Sequence, residues 1–222
     1  MGRFSAARRS NLPGLDAGPR FNGAPSLIYP IIVADEDASA HGAFMEARWG
    51  LVPGWVKEEK PKVAPANARS ETVKTNGMFR GAYRARRCLV PVDGYFEWKA
   101  RKGSKIKQPY ALAMADGRPF CLAGIWETRR QPGLAIDRRT FAVITCPPND
   151  LISQIHDRMP VILHEKDYAR WLNEEESDPA DLMVPYPSHL MTMWPVSTRV
   201  NKATNDGADL LDPVEPEEPD LF

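Results

Sequence analysis

Short apolar or alternating segments, each closed by Gly, Pro or Asp, constrain the fold of this chain more than any other feature. Ser26–Ala34, Phe44–Leu51, Cys88–Trp98, Tyr110–Ala115, Phe120–Trp126, Phe141–Cys146 and Met191–Val196 all have this form. Runs of that length read as strands, and 21 prolines, sitting mostly at segment ends, keep the connections short. Asp116-Gly117-Arg118-Pro119, between two such runs, predicts a hairpin. Helical signals are fewer: Ser70–Arg84 with an imperfect stripe, Asn149–Ile155 with Asn149 as N-cap, and Glu165–Glu175 with Tyr168, Trp171 and Leu172 on one side. The expected fold is one α+β domain over residues 1–212, a curved antiparallel sheet closing toward a barrel with a few peripheral helices. Pro213–Phe222 is acidic and Pro-rich, lacks a core pattern, and is expected to be a disordered tail.

Composition narrows the function classes. A chain of 222 residues is long enough for one sizeable core. Lys and Arg balance Asp and Glu at 29 each, so bulk charge gives no nucleic-acid signature, although seven of the last seventeen residues are acidic and leave the body modestly basic. No apolar run reaches membrane-spanning length and the N-terminus lacks the form of a signal peptide, so a cytoplasmic protein is expected. Cys88, Cys121 and Cys146 lie in apolar runs without a CxxC pair and read as buried thiols. His41, His156, His164 and His189 have no paired spacing, so neither metal nor cofactor is expected.

Four segments place polar groups where a core would not want them. They are Pro65–Glu71, Asp93–Trp98, Ile155–Pro160, and Gly2-Arg3-Phe4 taken with Arg20–Pro25. Singly, each has an ordinary reading: Glu97 as the polar face of an alternating strand, His156-Asp157-Arg158 as a helix-terminal charge group, Asn67 as a turn residue.

Together, and in order, they are a different matter. Gly2-Arg3-Phe4, Arg20-Phe21-Asn22-Gly23-Ala24-Pro25, Trp49-Gly50-Leu51-Val52-Pro53-Gly54-Trp55, Asn67-Ala68-Arg69-Ser70-Glu71-Thr72, Gly94-Tyr95-Phe96-Glu97-Trp98 and His156-Asp157-Arg158-Met159-Pro160 resemble, segment by segment, the SRAP family of SOS response-associated peptidases. The resemblance implies a sensor of abasic sites in single-stranded DNA that forms a covalent DNA–protein crosslink through its N-terminal residue after removing its own Met1. It also implies that Asn67, Glu97 and His156 serve that residue. Arg3, Arg69 and Arg158 would contact phosphates, Trp55 and Trp98 would stack on bases or wedge a duplex end, and Asn22 would shape the pocket. Opening the closed abasic sugar needs a proton given to the ring oxygen and one taken from the anomeric hydroxyl, work suited to a carboxylic acid and an imidazole.

The chain departs from the family at its second residue, a Cys there and Gly2 here. If the family Cys is present in the protein, it closes a thiazolidine; if Gly2 is truly the residue exposed, it offers only an amine and therefore an imine, which is reversible and leads to β-elimination. A noncovalent single-strand binding module and a peptidase acting on other proteins remain as alternatives, with a monomer expected in each case. Asp220-Leu221-Phe222 resembles the end of a bacterial sliding-clamp-binding peptide, which makes the clamp a second candidate partner.

Overall fold

The computed structural model describes residues 3–6 (backbone only), 19–34, 42–57, 61–129, 138–176 and 178–216. Strands β1 (Arg3–Ala6), β2 (Arg20–Gly23), β3 (Ile28–Val33), β4 (Ala43–Trp49) and β5 (Asn67–Arg69) precede helix α1 (Arg80–Ala85). Then come β6 (Arg87–Val92), β7 (Gly94–Lys99), β8 (Gln108–Met114), β9 (Phe120–Arg129), β10 (Arg138–Cys146), β11 (Met159–Pro160), β12 (Ile162–Leu163), helix α2 (Tyr168–Leu172) and β13 (Met191–Pro195).

Five strands, β10, β4, β3, β6 and β9, close a ring of hydrogen bonds, which meets the expectation of a sheet closing toward a barrel. The sheet is mixed, because β10 runs parallel to β4 and then to β5. β4 ends with Trp49 opposite Phe141, and β5 takes over the same edge from Val143. Pro30 in β3 and Pro91 in β6 lie outside the short β3–β6 pairing at residues 32–33 and 88–89, so each strand is paired on one side only where its N–H is missing. Inside the ring Trp49 stacks on Phe141 with centroids 6.2 Å apart, and Tyr29 meets both edge-on.

A second, antiparallel sheet has the order β13-β8-β7-β1-β2. Two expectations change here. The single apolar run 88–98 is two strands broken at Asp93, with β6 in the ring and β7 in the second sheet. The turn at residues 116–119 forms, with Gly117 at φ 71° and the Asp116 carboxylate accepting from the Arg118 N–H at 3.0 Å, but it joins strands of different sheets and makes no hairpin. Both segments carry apolar residues on both faces, so alternation alone could not locate either crossing.

The helices are shorter than the sequence predicts. Only Arg80–Ala85 of the first stretch is α-helical, the second is a single turn at Ile152–Gln154, and the third a turn running into Tyr168–Leu172. Arg87 compensates for these short elements. Its buried guanidinium donates to the carbonyls of Tyr83, Arg84, Trp171, Asn173 and Glu176, tying α1 and α2 to the ring. At the C-terminal side, Val214 N–H donates to Pro195 O at 3.0 Å and Pro213 bridges Val196, so order continues past residue 212. Asp220, Leu221 and Phe222 lie outside the described residues, as does Gly2. No helix among the described residues is long and apolar enough to cross a membrane.

Candidate functional site

Strand β7 divides its side chains between two cores. Phe96 belongs to the smaller cluster with Ala111, Val196, Val200 and Leu210, and Trp98 packs on that cluster. Tyr95 belongs to the ring core. Strand alternation puts Glu97 on the same side as Tyr95, and it is only 5% exposed. The sequence left open whether Glu97 lies on a polar face; it is buried. Burial pushes its carboxyl above the usual carboxylate range, and the neighbouring His156 opposes that shift. Its Oε2 accepts no hydrogen bond.

His156 arrives from the other direction. Segment 159–163 wedges between the diverging ends of β9 and β10, with Val161 N–H donating to Ile144 O and Val161 O accepting from Ala123 N–H. Three residues earlier the chain carries His156, whose Nε2 stands 3.8 Å from Glu97 Oε2. Its Nδ1 meets the carbonyl of Arg158 at 3.0 Å and the Asp157 carboxylate at 3.3 Å, and the Arg158 N–H approaches the same atom at 3.0 Å. Nδ1 is thus engaged within the 156–158 turn, and Nε2 is the ring nitrogen that faces Glu97. An open hollow of about 450 Å³ lies beside the imidazole, lined by Lys99, Pro148, Gln154, His156 and Asp157 among others.

Arg158 is already engaged. Its guanidinium makes a bidentate pair with Glu71, both distances 2.8 Å, and also donates to Thr145 Oγ1 and Thr145 O. The Arg158 hydrogen bonds hold the Glu71 carboxyl down at about 2. The pair locks the loop that carries His156 to the end of β5. Glu71 and Thr145 have no assigned part in the sequence reading; the one signal was the place of Glu71 within Asn-Ala-Arg-Ser-Glu-Thr.

The remaining candidates are spread around this centre. Asn67 is half-buried at the start of β5, opposite Val143, and Arg69 is exposed two residues on, sharing its strand face. Trp55, in the loop after β4, is 70% exposed. Trp98 is partly buried and its Nε1 donates to Asn201 Oδ1 at 2.6 Å. Asn22 is buried, and its amide donates to the carbonyls of Val200, Lys202 and Asn205, bracing the loop behind β2. The Arg3 backbone pairs with Phe96, one residue before Glu97. Across β1 and β7 the register runs Ser5↔Gly94, Phe4↔Tyr95, Arg3↔Phe96, so the strand advances toward Glu97 as it nears the N-terminus. Among the described residues no group of three or more His, Cys, Asp or Glu is placed to hold a metal ion.

The family model for SOS response associated peptidase (SRAP) matches residues 4–203. The chain is 35% identical over 204 residues to the abasic site processing protein YoqW of Bacillus subtilis (strain 168), covering 90% of this chain and 89% of that one. It is 32% identical over 199 residues to the abasic site processing protein YedK of Escherichia coli (strain K12), covering 88% and 85%. A crystal structure of a protein from Bacteroides thetaiotaomicron superposes with a TM-score of 0.76 at 28% identity, covering 86% of this chain and 82% of that one.

Proposed function

We propose a function from one premise: the chain belongs to the SOS response associated peptidase (SRAP) family. It processes abasic sites, as the names of its relatives state for them; the substrate of this reading is single-stranded DNA, engaged at the abasic sugar through the amine exposed when Met1 is removed. The observation that carries this reading is the buried, unpartnered Glu97 Oε2, 3.8 Å from His156 Nε2, on the strand to which the N-terminal β1 is paired up to Phe96. Residue 2 is covalently bound to Arg3, whose backbone pairs with Phe96, the neighbour of Glu97.

The roles follow from protonation states. Burial keeps Glu97 protonated further toward neutral pH than a free carboxyl, so it can donate to the ring oxygen of the closed sugar. His156, whose Nε2 faces Glu97, takes the proton of the anomeric hydroxyl, and the ring opens to the aldehyde. An α-amine has an ordinary pKa of about 8, so a useful fraction is neutral at pH 7 without special help. Its lone pair forms the C–N bond while the carbonyl pair moves to oxygen; protonation and loss of water leave the imine. Asn67, with one donor and one acceptor group, holds the amine in place. Gly2 has no thiol, so the reaction stops at the imine or proceeds by β-elimination with strand cleavage.

Arg69 and Arg158 meet phosphates beside this centre, with Arg3 on the N-terminal strand, and Trp55 offers an exposed ring for a base. A phosphate at Arg158 shares the guanidinium with Glu71 or displaces it. A peptidase acting on other proteins would need a separate nucleophile. Among the described residues all three cysteines are buried, with the Cys121 and Cys146 thiols pushed by burial up to about 11 and about 12.

Incubation with abasic single-stranded DNA tests the reading. The expected result is strand cleavage together with an adduct that withstands SDS only after borohydride reduction, both lost in Glu97→Gln. An SDS-stable adduct without borohydride would overturn the imine chemistry.

A further inference from the structure

Three buried side-chain nitrogen or oxygen atoms among the described residues have no hydrogen-bond partner: Arg86 Nε, Tyr95 Oη and Glu97 Oε2. Such atoms are rare because each forfeits its hydration with nothing in exchange. Two of the three sit on one strand, two residues apart, on the same face of β7. Residues at that spacing are roughly 6.6 Å apart along a strand. The alternating residues Phe96 and Trp98 turn to the other cluster, so Tyr95 and Glu97 share the side on which His156 closes the site.

An apolar residue in place of Tyr95 would spare the fold this cost. The position is 1% exposed and packed in the ring core, where phenylalanine would serve as well for packing. Among the described residues the hydroxyl has no hydrogen-bond partner. A carboxyl and a phenol, both unpartnered and both facing one small region, are instead a matched set for a guest that carries oxygen. Burial, then the nearby Glu97 charge, raises the phenol well above its ordinary value, so it remains a neutral donor throughout the range in which Glu97 titrates.

Resting on the function proposed above, we infer that Tyr95 is a further catalytic residue, whose hydroxyl donates a hydrogen bond to the aldehyde oxygen of the opened abasic sugar. As the amine lone pair forms the C–N bond, the carbonyl π pair collects on that oxygen. Tyr95 stabilises the developing charge and keeps its own proton. Glu97, reprotonated by the imidazolium that His156 became on ring opening, supplies the proton that makes the carbinolamine hydroxyl, and the protons released by the amine nitrogen restore it and let that hydroxyl depart as water when the imine forms. A fixed donor aimed at an oxyanion commonly contributes about 10²–10³ in rate where it has been removed from other enzymes.

Tyr95→Phe removes one oxygen and keeps the ring, which separates catalysis from packing. Single-turnover formation of the borohydride-trapped adduct on an abasic oligonucleotide is followed across pH 5–9, with thermal unfolding measured on the same samples. The inference expects a plateau rate at least about 10-fold lower, with the limbs of the pH profile unmoved and Tm equal or higher. A rate equal to that of the wild type overturns it. A lower Tm also overturns it, because the hydroxyl would then have a structural partner. Glu97→Gln, run in parallel, separates two kinds of failure. If Glu97→Gln loses activity while Tyr95→Phe keeps it, the inference about Tyr95 fails alone; if both keep full rate, the proposed function fails with it.

Discussion

Glu97 and Glu71 show how one residue type takes opposite ionisation behaviour from its surroundings. Glu71 is about half exposed and its carboxyl is held at about 2 by Arg158, below the ordinary 4.5. A depressed carboxyl stabilises the fold above its unfolded pKa, and that contribution is lost as pH falls from about 4.5 toward 2. Exposure limits its worth to less than about 1 kcal/mol. Glu97 has the reverse sign. Its raised pKa means the folded state holds the proton longer, so stability declines as pH rises from 4.5 through the folded value and stays lower above it. Glu97→Gln, which cannot ionise, is therefore expected to be more stable than the wild type at pH 8 by about 0.5–2 kcal/mol, with the gain vanishing at pH 4. Thermal unfolding at the two pH values checks this, and an equal or lower Tm at pH 8 contradicts it. The sequence made Glu97 visible through its aromatic flanks and its place in Gly-Tyr-Phe-Glu-Trp. The Glu71–Arg158 pair was not visible, because its partners are 87 residues apart and each looks like an ordinary surface charge. The same is true of Tyr95: a tyrosine in an apolar strand reads as core until the missing partner of its hydroxyl is seen.

At the scale of the element, β7 is the part that cannot shift without moving the site. Gly94 opens it at the crossing from the ring to the second sheet, and a Cβ there would lie 2.6 Å from Leu112 O, a backbone atom with no room to yield. Gly94→Ala is expected to cost about 1–3 kcal/mol and to slow adduct formation, measured by urea unfolding and by trapping, because β7 must part from β8 to fit the methyl. Asn22 does comparable work behind β2. Asn22→Ala withdraws the donor from three carbonyls of loop 200–205 and is expected to lower stability by about 1–3 kcal/mol, read by the same unfolding measurement. Most strands were legible from alternation and punctuation, within a few residues. Their assembly was less so. Nothing local in Phe141–Cys146 announces that its neighbours Trp49 and Ala68 run parallel to it, and nothing in Cys88–Trp98 marks the crossing except Asp93-Gly94.

For the whole molecule, zero net charge and the three arginines proposed to meet phosphates predict modest, salt-sensitive DNA binding. Phosphate contacts from Arg3, Arg69 and Arg158 at ~0.7 counterions each give a log–log salt slope of about −2 for single strands, and Arg69→Ala is expected to reduce its magnitude by about 0.7. Fluorescence anisotropy across salt concentrations measures it, and an unchanged slope removes Arg69 from the interface. The larger design is the convergence of three distant parts of the chain on one buried carboxyl: the N-terminal strand beside β7, the loop before β11 that carries His156, and the turn after β5 whose Glu71 binds that loop through Arg158. That convergence supports the proposal that the reacting group is the N-terminal amine. The most direct measurement is borohydride trapping of the full chain on an abasic oligonucleotide, followed by peptide mapping of the adduct. The adduct is predicted on the α-amine of Gly2 with Met1 absent, and it should vanish in Glu97→Gln. An adduct mapped to a lysine side chain, or one that persists after the N-terminus has been chemically blocked, would contradict it.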